Sequence, residues 1–544
     1  MLFVAPLAAA QVPPDSGRLL QGVKPLPELP GKPVSPLPQE STPPPALQAP
    51  QGLKIPVKGF RITGIRAFAE GELIALVQDG VGHELTLDEL NSLAQRITSF
   101  YRENGYLLAR AYIPAQTIRD GIVEIAVLEG RLGQVRLDNS SAVSASVLNS
   151  QLLPLESGQA VQGESLERQL LLMSDLPGVE VRSTLRPGAS VGTSDLDVKV
   201  TGTERFTGSL DVDNYGDRFT GDLRAGITAN VNNPFGRGDL FNVRAIDSGP
   251  GFSYARFAWQ TPLAGNGLKA GTAWSDLHYR LQKDFAPLGA HGSAEVGTLW
   301  LSYPFLRSLR ANLNGQLAYD HKTLDDRIDS SQIVADRALD VWTLGVSAVR
   351  QDAFGGGGIT DFTASLTAGH LNLGLGAAAF DQSAVGLHTQ GNYGKVLYNI
   401  ARLQRITTSL ALYAALSGQQ ASKNLDSSEK FSLGGAYGVR AYPVGEAAGD
   451  DVWLANAELR WTPPGYQDVQ LFGFVDSGGS RIRHSPLASD TNNERHLAGE
   501  GIGLAWGRFG NFALRAAIAW RWGPLPTSDV DRVPRAWLQA VKYF

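Results

Sequence analysis

The chain contains no cysteine, so no disulfide staples any part of it, which fits an exported protein that folds without cross-links. Nowhere is there a run of about twenty apolar residues, the length a bilayer requires of a helix. If the chain sits in a membrane, it crosses as strands. A basic tract is also missing and the net charge is −5, which argues against nucleic acid as a partner. There is no phosphate-binding Gly-x-x-x-x-Gly-Lys loop, and the eight histidines show no paired metal-ligand spacing, so neither a cofactor nor a metal is expected. The stretch Gly188-Ala189-Ser190-Val191-Gly192 has the hydrolase elbow pattern. It falls between two predicted strands instead of at a strand-to-helix turn, so no catalytic residue is assigned.

What is abundant is glycine, at 61 residues, while charged residues make up 19%. A chain of 544 residues predicts two or three folded units, although a large barrel uses several hundred residues as one. Residues 1–10 form an apolar run ending in Ala8-Ala9-Ala10, which reads as the remnant of a secretory signal without its basic region. Residues 11–53 are Pro-rich, with Pro25, Pro27, Pro30, Pro33, Pro36 and Pro38 spaced too closely for a helix, and form an extended linker. Ahead of the prolines, Pro14 to Gln21 allows two helical turns capped by Asp15 or Ser16.

From residue 54 the pattern is compact and mixed. Phe60, Ile62 and Ile65 predict a strand; Leu73, Leu76 and Val77 predict a short helix; Thr86 with Glu89 makes a capping box opening a longer one. Leu90, Leu93, Ile97 and Phe100 or Tyr101 line one face of it, and Gly105 closes it. Strands follow at Leu107 to Ile113 and Ile122 to Leu128. The same β-α-α-β-β order recurs with a strand at Gln134 to Leu137, helices near Ser144 to Leu152 and Glu164 to Ser174, and strands at Val179 to Leu185 and Leu196 to Val200. Two small α+β domains, 54–131 and 132–205, are therefore expected in tandem.

Beyond Glu204 helical periodicity gives way to alternation. Leu223, Ala225, Ile227, Ala229 and Val231 oppose Asp222, Arg224, Thr228 and Asn230. Trp453, Ala455, Ala457, Leu459 and Trp461 oppose Asn456, Glu458 and Arg460, and Phe512 to Trp520 repeats the pattern. A soluble sandwich also alternates, but tryptophans at both ends of an apolar face match an interfacial girdle. Residues 206–544 thus predict a transmembrane antiparallel β-barrel, and at roughly ten residues per strand plus turns and loops they allow about sixteen strands. The last strand fits least well, because each of its faces mixes apolar with polar residues.

One segment stands out: Phe431-Ser432-Leu433-Gly434-Gly435-Ala436-Tyr437-Gly438-Val439-Arg440-Ala441-Tyr442, followed by Glu446, Gly449 and Asp450. It resembles the sixth extracellular loop of TpsB transporters of two-partner secretion, the haemolysin and filamentous-haemagglutinin transporter type, whose tip carries Val-Arg-Gly-Tyr or Phe. Val439, Arg440 and Tyr442 match, and Ala441 replaces the usual glycine. Phe474-Val475-Asp476-Ser477-Gly478 resembles the family's Phe-x-Asp-x-Gly motif on a later strand, and the tandem α+β units resemble its pair of POTRA domains. A guanidinium reaching the lumen wall is well matched by a carboxylate in fork geometry, so Arg440 is expected to meet Asp476.

The resemblance implies an outer-membrane protein of a Gram-negative bacterium with POTRA domains in the periplasm, translocating an unfolded partner exoprotein of the TpsA type, haemolysin or adhesin, to the cell surface. It implies a translocation loop with tip Val439, Arg440, Ala441 and Tyr442 on a hinge at Gly434 and Gly435, and a lumen motif of Phe474, Asp476 and Gly478. It further implies a plug helix carrying Asp15, Arg18, Leu19 and Leu20. Client capture by strand addition is expected at the edge Leu107, Leu108, Ala109, Arg110, Ala111, Tyr112 and Ile113. Its other partners are outer-membrane lipid and the barrel-assembly machinery that inserts it, and a monomer is expected. The competing expectation is a BamA-like insertase; an outer-membrane enzyme or a passive porin is a third.

Overall fold

The computed structural model describes residues 13–23, 39–40, 54–106, 108–155, 157–158, 162–190, 192–488, 490 and 492–544. The expected signal remnant, most of the Pro-rich linker and Leu107 lie outside them. In the first α+β unit, Gly59–Thr63 pairs parallel with Ile122–Leu128, which pairs antiparallel with Arg110–Tyr112. The helix Leu87–Glu103 opens on the predicted box: Thr86 Oγ1 accepts from the Glu89 amide, and the Glu89 carboxylate accepts from the Thr86 amide at 2.7 Å. These reciprocal bonds satisfy two donors that a helix start leaves free. Leu90, Leu93, Ile97 and Tyr101 then bury against Phe60, Ile62, Val123 and Ile125; Tyr101, not Phe100, is the fully enclosed ring.

One strand is shorter than its sequence pattern. Arg110–Tyr112 spans three residues, where Leu107 to Ile113 alternates well enough for seven. The Ala109 amide instead donates to Tyr106 O at 3.1 Å in the turn that leaves the helix, and Pro114, with no amide hydrogen, follows at the other end. In the second unit the sheet runs Val179–Pro187, Thr193–Gly202, Arg131–Ser140, with helices Ala145–Leu152 and Gly163–Ser174 packed on it. The outer edge of Val179–Pro187 takes a further strand from the Pro-rich segment, Gln39–Glu40, in parallel register with Thr184 and Leu185. Nothing in a proline-dense tract signals such a strand.

Sixteen antiparallel strands from Phe206–Asp213 to Arg535–Tyr543 close into a barrel. The first pairs with the last from Ser209↔Tyr543 to Asp213↔Gln539. Strand lengths are uneven: Ala290–Arg307, Ala311–Ile328 and Ile333–Asp352 run 18, 18 and 20 residues, against 8 to 9 for the first three strands. About ten residues cross a bilayer, so one side of the wall stands tall. Trp274, Trp342, Trp453, Trp461, Trp506 and Trp520 are exposed on the outer face, where aromatic rings sit well at the lipid-water boundary. Inward-facing charges pair across strands, as in Arg224 with Asp213 at 2.9 Å. The second α+β unit abuts the turns at one end of the barrel, where Arg307 forks onto Asp175 at 2.8 and 2.7 Å and the Ser144 amide donates to Gly236 O.

Candidate functional site

The longest loop of the barrel, residues 422–450, joins Leu410–Ala421 to Asp451–Trp461 at the end away from the α+β units, and folds back into the lumen. Its tip is fixed by Arg440. Nε and Nη2 donate to the two oxygens of Asp476 at 2.8 and 2.7 Å, the Arg440 amide adds a third bond at 3.0 Å, and Nη1 donates to Glu458 at 2.6 Å. Such planar forks are the strong kind of charged hydrogen bond. The Arg440 Cζ also lies 3.5 Å from the centroid of the Phe474 ring, a cation–π contact in a site almost closed to solvent. Asp476 is completely buried.

The small residues of both motifs are explained by crowding. A Cβ on Gly478 would lie 2.4 Å from Leu433 of the loop, and one on Gly438 would lie 2.1 Å from Leu433 O. Gly435 has φ of +116°, which a residue with a Cβ rarely adopts. Gly434, the other hinge candidate, sits where the two limbs of the loop cross, its missing Cβ only 2.5 Å from Pro443 O. The alanine at the tip fits because Ala441 is not among the left-handed residues, and because Gly499 on the adjacent strand makes room: a Cβ there would meet the Ala441 methyl at 2.4 Å.

The helix Ser16–Gln21 lies in the lumen against the same loop. Asp15 caps it, accepting from the Arg18 amide at 2.9 Å. Leu19 is buried among Phe219, Phe252 and Leu425, with Leu20 packed beside them. Ser16 donates through its amide and hydroxyl to Asp326 at 2.9 and 2.8 Å. Arg337 on the wall pairs with Asp15, Asp326 and Asp426, so one guanidinium joins helix, wall and loop. Arg18 donates to Gly445 O and Gln21 to Ser428 O. A Cβ at Gly17 would lie 2.5 Å from Ser427 Oγ, a packing too close for any larger residue.

The loop's other limb is held by Glu429. Its carboxylate meets Lys322 and Lys395 at 2.7 and 2.8 Å. Burial alone would raise its pKa, but the two ammonium groups outweigh burial and hold it at about 2. Sequence reasoning did not assign Glu429, Glu458, Arg337, Asp326 or Trp537. Only Glu458 left a signal, as the one carboxylate on the polar face of the Trp453–Trp461 strand.

At the expected capture edge, Ala109, Ala111 and Ile113 are buried. The Ala111 amide, which an added strand would use, already donates to Thr98 Oγ1 on the helix Leu87–Glu103 at 2.9 Å. Among the described residues no cluster of three or more His, Asp or Glu side chains is arranged to hold a metal ion.

This architecture has relatives. A family model described as haemolysin secretion/activation protein ShlB/FhaC/HecB matches residues 192–506, and a POTRA domain model of the ShlB type matches residues 55–130. The heme/hemopexin transporter protein HuxB of Haemophilus influenzae strain 86-028NP is 28% identical over 91% of this chain and 88% of its own. The hemolysin transporter protein ShlB of Serratia marcescens is 24% identical over 74% of this chain and 72% of its own. Among solved structures, CdiB from Escherichia coli superposes with a TM-score of 0.70 at 20% identity, covering 92% of this chain and 93% of that one. BamA from Haemophilus ducreyi lacking POTRA domains 1–3 reaches 0.55 at 14% identity, over 90% of this chain and all of that one. At such identities the superpositions speak for the fold alone. The model matched over more than half of the sequence decides the matter: the chain belongs to the ShlB/FhaC/HecB family of haemolysin secretion/activation proteins.

Proposed function

We propose that this protein is the outer-membrane pore through which an unfolded partner exoprotein of the TpsA type leaves the periplasm for the cell surface, with the two α+β units on the periplasmic side. Family membership and relatives named as transporters, one of them matched over 88% of its length, favour this over a BamA-like insertase. The observation that carries it is how the lumen is filled. The helix Ser16–Gln21 and the loop tip at Arg440 are held to the wall mainly by side-chain ion pairs and hydrogen bonds. Neither contributes a strand to the barrel. Both can therefore move aside without unpairing it, which a route for an extended polypeptide requires.

In this scheme the first unit captures the client, the plug helix withdraws, and the Arg440 loop shapes the passage. The protein acts as a monomer in outer-membrane lipid after insertion by the barrel-assembly machinery; a single closed barrel enclosing its own lumen supports this. No nucleotide is available in the periplasm, so folding of the client outside supplies direction. The client is of haemolysin or adhesin type. Deleting residues 54–205 tests the scheme: secretion of the partner into the medium should stop while the barrel remains heat-modifiable, and undiminished secretion would overturn it.

A further inference from the structure

Glu446 lies six residues past Arg440, on the limb of the loop that returns to the wall. It is completely buried, and its charge is met by a single guanidinium from the barrel wall, that of Arg495 on the strand Glu494–Arg508. Its carboxylate is enclosed by donors from another loop, residues 522–534, which joins Phe512–Arg521 to the last strand. The Thr527 amide and hydroxyl reach it at 3.0 and 2.9 Å, the Ser528 amide and hydroxyl at 2.8 and 2.6 Å, and Arg495 adds Nη2 at 2.7 Å. Five donors saturate both oxygens.

The backbone around it is unusual. Gly445 and Ala447, on either side of Glu446, have φ of +76° and +50°. A non-glycine residue is uphill in that region, and the turn is held both by the donors on the Glu446 carboxylate and by the Gly434 amide, which donates to Glu446 O at 3.0 Å. The second loop rests on the first at one further point, where Tyr442 Oη donates to Pro524 O at 2.9 Å. Behind the turn stands the plug helix, whose Arg18 donates to Gly445 O. Helix, turn and second loop are thus stacked across the mouth of the barrel.

We infer that Glu446 is a positioning residue that latches loop 422–450 to loop 522–534, so that the two act as one lid on the extracellular mouth, separately from the Arg440–Asp476 pair deeper in the lumen. This rests on the transporter function proposed above. Removing the latch loosens the mouth while leaving the tip in place.

The test uses the full-length protein in planar bilayers. Glu446→Gln keeps the volume but turns one acceptor into a donor facing the Thr527 and Ser528 amides, and open time should rise roughly 10-fold. Thr527→Val with Ser528→Ala removes the hydroxyl donors from the opposite side and should raise it as well. Combining the two sets should add little, because both break one interaction. Both variants should also make loop 522–534 sensitive to protease on intact cells. Unchanged open time and protease pattern in a heat-modifiable barrel would overturn the latch, as would effects that simply multiply. If Glu446→Gln fails to assemble, the Thr527/Ser528 variant decides alone. Should the latch behave as expected while deletion of 54–205 leaves secretion intact, the capture scheme proposed above fails and the latch stands.

Discussion

The indole Nε1 of Trp537 donates to the carbonyl oxygen of Arg440 at 2.7 Å, so the tip of the folded-in loop is tied to the strand that closes the barrel. Trp537 also packs edge-on to Tyr215 with ring centroids 5.7 Å apart, and Tyr215 packs in the same way on Tyr437 of the loop. Trp537→Phe retains most of this packing and deletes the bond. Losing one buried hydrogen bond costs about 1 kcal/mol, so the variant should insert normally and secrete a few-fold less partner, measured as exoprotein in the medium per unit of barrel in the membrane. Equal secretion would make the tie incidental.

Arg440→Ala removes the charged partner of the buried Asp476, while Glu458 retains Arg460 and Arg515 at 2.8 and 3.0 Å. The expected outcome is an assembled barrel with little secretion. Arg440→Lys keeps the charge but not the fork and should fall between the two. A variant exporting at the normal rate would take Arg440 out of the mechanism.

The contrast between Trp537 and Arg440 shows how far the sequence was legible. The period-two alternation of Trp453 to Trp461 is visible because lipid and lumen impose opposite demands on the two faces of a strand. The last strand was hard to read because its inward face does not meet water. Trp537, Gln539 and Val541 point into the lumen and are buried, with Trp537 against the loop, whereas Leu538 and Phe544 face outward beside Lys542. The Arg440–Asp476 pair was legible because a motif marks each end. Glu446 and Thr527 stand 81 residues apart on two loops, and no periodicity connects one loop to another. The short edge at Arg110–Tyr112 escaped for a related reason: alternation records which side chains are buried, not where a backbone amide is bonded.

Glu429 should behave as a charge-dependent mount for the loop. Its depressed pKa means that its contribution to stability is fully present above its ordinary value of 4.5 and is lost as pH falls toward about 2. Channels recorded between pH 7 and pH 5 should therefore share one resting conductance as far as this group is concerned. Glu429→Gln leaves Lys322 and Lys395 facing each other, at a cost of about 3–5 kcal/mol where water is excluded and less where the lumen is wet. It should destabilise the loop at neutral pH, seen as protease cleavage between 422 and 450. An uncut loop in this variant would show that the other anchors suffice.

The helix Ser16–Gln21, proposed above as the plug, rests on Arg337. Deleting residues 11–25 should raise single-channel conductance in a planar bilayer. Arg337→Ala, which removes the shared partner of Asp15, Asp326 and Asp426, should raise the frequency of opening without any change in chain length. If both variants conduct as the parent does, the helix does not block the pore.

At the first α+β unit, Thr98 sets a specific condition on the client capture proposed above. Strand addition works through backbone hydrogen bonds along a free edge, and at Ala111 the amide is already committed to the Thr98 hydroxyl, which itself donates to Ala94 O at 3.2 Å. A client strand must displace that bond, so it competes with a local interaction worth about 1 kcal/mol. Thr98→Val is nearly isosteric and removes the acceptor. The helix should persist, since Thr98 lies on its buried face among Leu90, Ala94 and Tyr101, while the Ala111 amide is left for an incoming strand. Binding of the partner's N-terminal secretion domain to the full-length protein, followed by calorimetry, should tighten about fivefold. Unchanged affinity would mean that capture does not use this edge, and weaker binding would mean that Thr98 itself contacts the client.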